Sequence, residues 1–176
     1  MDITELILRQ HADQRSMFAA LEEWPREDTA GLGSLWRRLE IMLEVHALAE
    51  ERFFYPELTR LGTGGGDADS VEGEVKDAIK DHNEIRDGIA KVAAAQVGSD
   101  DWYAAILEVN VANGDHMAEE ERQDLTDFRQ HATLDLRHRL AVDFLRFEAE
   151  HWAGGVRAVD RDPDEFVREN DGSRQS

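Results

Sequence analysis

The chain has 176 residues, no cysteine, three prolines and a formal net charge of −19. That length supports one domain with a sizeable core. The missing cysteines exclude disulfides and thiolate metal sites, and the acidity opposes binding to nucleic acid or anionic membranes.

The N-terminus has no basic region ahead of an apolar run, and no apolar stretch is long enough to span a bilayer. A cytoplasmic protein without signal peptide or membrane span is therefore expected. The apolar pattern predicts an all-α fold. A first helix is expected over residues 2–24, with Asp2 as N-cap and Pro25 as stop; Ile7, His11 and Phe18 share its stripe. A second is expected over 31–60, with Leu39, Met42, Leu43, His46, Ala49, Glu50 and Phe53 on one face. Pro56 should kink its last turns, which frees Tyr55 from the ideal wheel. Residues 62–67 read as a loop joining two similar halves.

A third helix is expected over 70–97, with Val75, Ile79, His82, Ile85 and Ile89 inward. Ser99 can cap a fourth, over 100–130, carrying Ile106, Val109, His116 and Glu120. Its far end turns polar: Gln123 and Asp124 stand where the second helix has Phe53 and Phe54. That end is either short of the core or lines a wetter opening. A fifth helix over 133–152 carries Leu136, Leu140, Phe144, Phe147 and Trp152, and packs across the bundle or on a partner subunit in a homo-oligomer. The organisation expected is a four-helix bundle over 1–130, an accessory helix over 131–153 and a polar, flexible tail over 154–176.

The chemistry lies in a repeated spacing. His46 and Glu50, and again His116 and Glu120, stand four residues apart, which stacks both side chains on one helix face. His11, His46, His82 and His116 follow one another at intervals of 35, 36 and 34 residues, about one helix plus one loop. In an up-down bundle equal steps return the chain to one height, so four imidazoles and two carboxylates meet in the core. His11 and His82 are each followed four residues on by an arginine, Arg15 and Arg86. Two related helix pairs then present two half-sites, able to hold two ions about 3.5 Å apart with both carboxylates bridging. Imidazole and carboxylate donors suit iron, zinc or manganese; chemistry with oxygen or peroxide needs a metal that changes valence. A lone histidine on an apolar face is more often a hydrogen-bonded core residue. Four at equal spacing with two carboxylates are not explained that way.

These residues, with Glu51-Arg52-Phe53-Phe54-Tyr55-Pro56 after the second motif, resemble the hemerythrin-like, or HHE cation-binding, family over about residues 1–130. The resemblance implies a hemerythrin-like up-down four-helix bundle holding a non-haem, oxo- or hydroxo-bridged pair of iron ions on His11, His46, Glu50, His82, His116 and Glu120. It is to the branch that does not carry oxygen. The carriers have a second histidine four residues after the one on the third helix, where this chain has Arg86, and place the last carboxylate five residues after its histidine, where it has Glu121. Glu120 or Glu121 is the second bridge; the internal repeat favours Glu120. Tyr55, Arg86 and Glu121 are candidates for supporting the ligands. The activity implied is catalase-like removal of peroxide, and the alternative is a module that senses oxygen, nitric oxide or iron without turnover. Ferritin-like carboxylate proteins have a glutamate three residues before a histidine, the reverse of the order here.

Overall fold

A computed structural model describes residues 1–64, 70–157 and 159–171. Among these, every regular element is a helix. Helix α1 (Ile3–Glu23) opens on Asp2, whose carboxylate accepts from the Thr4 N–H. Helix α2 (Thr29–Ala49), capped by Asp28, runs through a π-helical turn (Glu50–Phe54) into α3 (Tyr55–Leu61). Helices α4 (Val71–Ala94) and α5 (Asp100–Arg122) open on the hydroxyls of Ser70 and Ser99. Three shorter elements follow: α6 (Asp124–His131), α7 (Leu134–His151) and α8 (Pro163–Asn170). No described helix is long and apolar enough to cross a membrane.

The elements pack as a helical bundle, with α1 against α2 and α5, and α4 against α5 and α2. Gly88 lets α4 and α5 approach closely: a Cβ there would lie 2.7 Å from Val109 Cγ2. Two apolar clusters fill the interior. One gathers Phe18, Trp36, Leu39, Ile89 and Trp102; the other gathers Ile7, Phe54, Val75, Ile79, Phe128 and Phe144. Between them lies a buried polar layer of His11, Gln14, His46, Glu50, His82, Asn113, His116 and Glu120. Burying such groups is costly unless they are paired or hold a metal.

Several expectations need correction. The kink near Pro56 is a π turn, in which the Tyr55 N–H reaches the Glu50 carbonyl five residues back. Proline has no N–H and crowds the carbonyl four residues before it, so the ordinary ladder fails there. The extra residue swings Tyr55 inward, where it is fully buried. The fourth helix is broken at Gln123, between α5 and α6. The fifth helix takes the first of its two expected placements, across the bundle: Leu140, Phe144 and Phe147 are buried and α7 packs on α1 and α2, while Trp152 just beyond its end is 47 % exposed. The stretch expected as a flexible tail contains α8, capped by Asp162 and packed on α3 and α4 through Phe166 and Val167. Of the expected central loop, residues 65–67 lie outside the described residues; the Asp127 carboxylate accepts from the N–H groups of Thr63 and Gly64.

Candidate metal centre

Helices α1, α2, α4 and α5 each deliver one histidine to the polar layer, and Glu50 and Glu120 follow one turn after His46 and His116. His46 Nε2 lies 2.8 Å, and His11 Nε2 4.0 Å, from Glu50 Oε1. The other oxygen, Glu50 Oε2, lies 3.4 Å from His82 Nε2, which is 3.2 Å from His116 Nε2. Glu50 is therefore common to two triads able to hold a metal ion, one with His11 and His46, the other with His82 and His116. Glu120 Oε2 lies 3.2 Å from His11 Nε2, while its Oε1 accepts from the Tyr55 hydroxyl at 3.1 Å. Two donors at right angles on one octahedral ion lie about 3 Å apart. Most of these separations are close to that.

The unsatisfied atoms point the same way. His11 Nε2, His46 Nε2, both Glu50 oxygens and Glu120 Oε2 are buried without a hydrogen-bond partner. Native interiors leave few such atoms unless something else binds them. These donors fit a metal centre of imidazole and carboxylate ligands.

The outward nitrogens, by contrast, are all engaged. His11 Nδ1 donates to Glu121 Oε1 at 3.0 Å, and Arg15 pairs with the same oxygen. His82 Nδ1 donates to Glu51 Oε1 at 2.9 Å, and Arg86 pairs with that oxygen at 2.6 Å. His116 Nδ1 faces Asp81 at 3.4 Å. His46 Nδ1 donates to Gln10 Oε1 at 2.6 Å, and Gln10 donates onward to Glu148 on α7 at 2.8 Å. Such outer partners fix the tautomer and aim the inward nitrogen. The repeat thus has a physical sense: in each Glu-Glu pair the first residue faces the centre and the second orients a histidine from another helix. Sequence reasoning placed Tyr55, Arg86 and Glu121 near the centre, and the structure brings all three there. It missed Glu51, Asp81, Gln10 and Glu148. For Glu51 the signal was present, since Glu51 repeats Glu121. His131, His138 and His151 bond to backbone carbonyls elsewhere.

The charges are mutually dependent. Burial alone would lower the pKa of His11, but Glu120, Glu121 and Glu50 raise it to about 9. His82 is likewise raised to about 9 by Glu50 and Glu51 against the effect of burial. Burial would push Glu50 up, yet His46 and His82 hold it well below the usual carboxylate range. Burial and the carboxylates around it keep Tyr55 a neutral phenol, able to donate to Glu120. Burial raises Glu148 to about 7. Its charged form therefore costs stability increasingly as pH rises from about 4.5 to 7. Glu148→Gln keeps an acceptor for Gln10. It is expected to stabilise the metal-free protein at pH 8 by on the order of 1–2 kcal/mol, with little effect at pH 4.5, in denaturant titrations.

The centre is not sealed equally on all sides. A cavity of ≈ 160 Å³ between α4 and the α5–α6 junction has His116 and Glu120 in its lining. Asp124 lines it as well, 5 % exposed, because the chain turns at Gln123. This is the wetter opening that the polar end of the fourth helix left as one alternative. At the matching position of the other half, Phe54 is fully buried against Tyr55 and Phe128.

The sequence profile of the Hemerythrin HHE cation binding domain matches residues 2–127. The chain belongs to this family. The match takes in every residue of the two triads and ends within α6, so α7, α8 and Glu148 lie outside the hemerythrin-like segment. No curated protein and no solved structure matches the chain.

Proposed function

We propose that this hemerythrin-like chain folds its four long helices up and down around a pair of iron ions, and that the centre removes hydrogen peroxide. The ligands are His11, His46, Glu50, His82, His116 and Glu120, with Glu50 shared between the ions. The observation that carries this reading is the placement of the two Glu50 oxygens, each facing a different pair of imidazoles. Six side chains leave several of about twelve octahedral positions open to a small oxidant. When bound, a valence-changing metal pair supplies the electron transfers by which two molecules of peroxide become two of water and one of dioxygen.

The protein's own residues do the rest. The apolar clusters above and below exclude bulk water and strengthen the electrostatics between them. Glu121, Gln10, Glu51 and Asp81 hold the four imidazoles with their inward nitrogens aimed at the centre. Tyr55 keeps its proton and fixes one oxygen of Glu120, leaving the other, which faces His11 Nε2, to ligate a metal ion.

The test is oxygen evolution from peroxide by iron-loaded protein, with an absorption spectrum and metal count. A rate well above that of free iron, lost in His46→Ala, is expected. A rate no higher than free iron overturns the catalytic reading. A stable adduct with azide or nitric oxide and no turnover would favour the sensing alternative. One observation supports that alternative: the C-terminal segment touches the ligand shell, through Glu148 to Gln10 and through Arg161, 3.3 Å from Glu51.

A further inference from the structure

Six carboxylates line the cavity beside the centre, together with His116, Arg122, Gln123 and Ala78. Asp77, whose Oδ1 accepts from the Lys80 ammonium at 2.6 Å, and Glu119 stand on its exposed side, and Glu120 and His116 are buried in its wall. Between them sits Asp124. Its carboxyl group is buried and lines the cavity, no hydrogen bond or ion pair joins it to the described residues, and burial together with the carboxylates of Glu120, Glu74 and Glu50 raises its pKa well above the usual carboxylate value. A packing role does not require it, since Phe54 fills the matching place in the other half. An acidic, partly enclosed mouth concentrates cations and repels anions. Hard and borderline divalent cations bind carboxylate oxygen, and a buried carboxyl group crowded by other carboxylates gains most from the arrival of a positive charge.

We propose that this cavity is the route by which a divalent cation reaches the centre, with Asp77 and Glu119 collecting the ion and Asp124 passing it to Glu120 and His116. The inference rests on the metal-centre reading above. It adds a transit function for residues that are not themselves ligands. The two halves then differ for a reason: one face is closed by aromatic side chains, and the other admits the ion.

The probe is Co²⁺ added to metal-free protein, which binds without redox chemistry and is followed by its visible absorption in a stopped-flow instrument. Wild-type protein is titrated first; if it binds no cobalt at the histidine centre, the metal-centre reading itself fails, which is a separate result. Given binding, Asp124→Asn and Asp77→Asn are expected to slow loading about tenfold at low ionic strength. The final cobalt content and spectrum should be unchanged, and the difference should shrink in high salt. Asp77 is exposed and its substitution does not disturb the core, so it keeps the test valid should Asp124→Asn fold poorly. Glu22→Gln, at an exposed position on α1, removes elsewhere the charge that Asp77→Asn removes at the cavity and should leave the rate unchanged. Equal loading rates in wild type and both cavity variants would overturn the proposal. So would equal slowing in Glu22→Gln, or a slowed rate of azide binding with cobalt loading unaffected.

Discussion

Glu50→Gln is expected to empty both halves of the metal centre, whereas His116→Ala should weaken only one. The substitution keeps the shape of the side chain and removes its charge. Each Glu50 oxygen faces a different imidazole pair, so both ions lose a donor and the negative charge that offsets them. Loss of an outer-shell partner already weakens metal binding about 10–100-fold, and loss of a shared ligand should exceed that for each ion. Metal analysis after loading and gel filtration should find about two ions per chain in wild type, well under one in Glu50→Gln and about one in His116→Ala. Retention of both ions by Glu50→Gln would show that the two triads do not share this carboxylate. The fold should survive, because the metal-free site already buries Glu50 between two intact apolar clusters.

Much of this centre was legible in the residue spacing. A period near 3.6 put His11, His46, His82 and His116 on the faces that also carry Ile7, Leu43, Ile79 and Val109, and those faces are buried. Equal intervals brought them to one level. What spacing does not report is a change in the helix itself. The π turn at Glu50–Phe54 leaves one sequence trace, Pro56, and that predicted a kink without its sense. The break at Gln123 has no proline or glycine to mark it. The outer partners Gln10 and Asp81 were hidden because each lies on a different helix from the histidine it orients, so no local spacing links them. Helix α8 was missed for another reason. Its two buried apolar residues, Phe166 and Val167, are few for a helix, and low apolar content read as tail. Asp162 followed by Pro163 and an acidic first turn was a start signal that could have been used.

Metal-free protein should lose stability in alkali, while the stability gained by adding metal should grow there. In the metal-free chain His11 and His82 are imidazolium ions at neutral pH, raised to about 9 by the carboxylates that face them. A histidine whose pKa is higher folded than unfolded contributes stability fully below about 6.5, and loses it as pH rises through about 9. Each tenfold gain in proton affinity on folding corresponds to about 1.4 kcal/mol at most, so two such groups should together cost a few kcal/mol across that window. For a chain of this size that is a fall on the order of 10 °C in the unfolding midpoint. Glu50, Glu51 and Glu121 act at the other end: held below the usual carboxylate range, they lose their contribution only as pH falls below about 4.5. Glu148 adds its own loss between about 4.5 and 7, so the window above pH 7 belongs to the histidines. Metal ligation needs neutral imidazole, and the protons that stabilise the metal-free site compete with the ions. The gain in midpoint on adding metal should therefore grow from pH 6.5 to 9, as measured by calorimetry at matched ionic strength. Parallel profiles with and without metal would mean that protons and ions do not compete for the same nitrogens, and His11 and His82 would then be core histidines and not ligands.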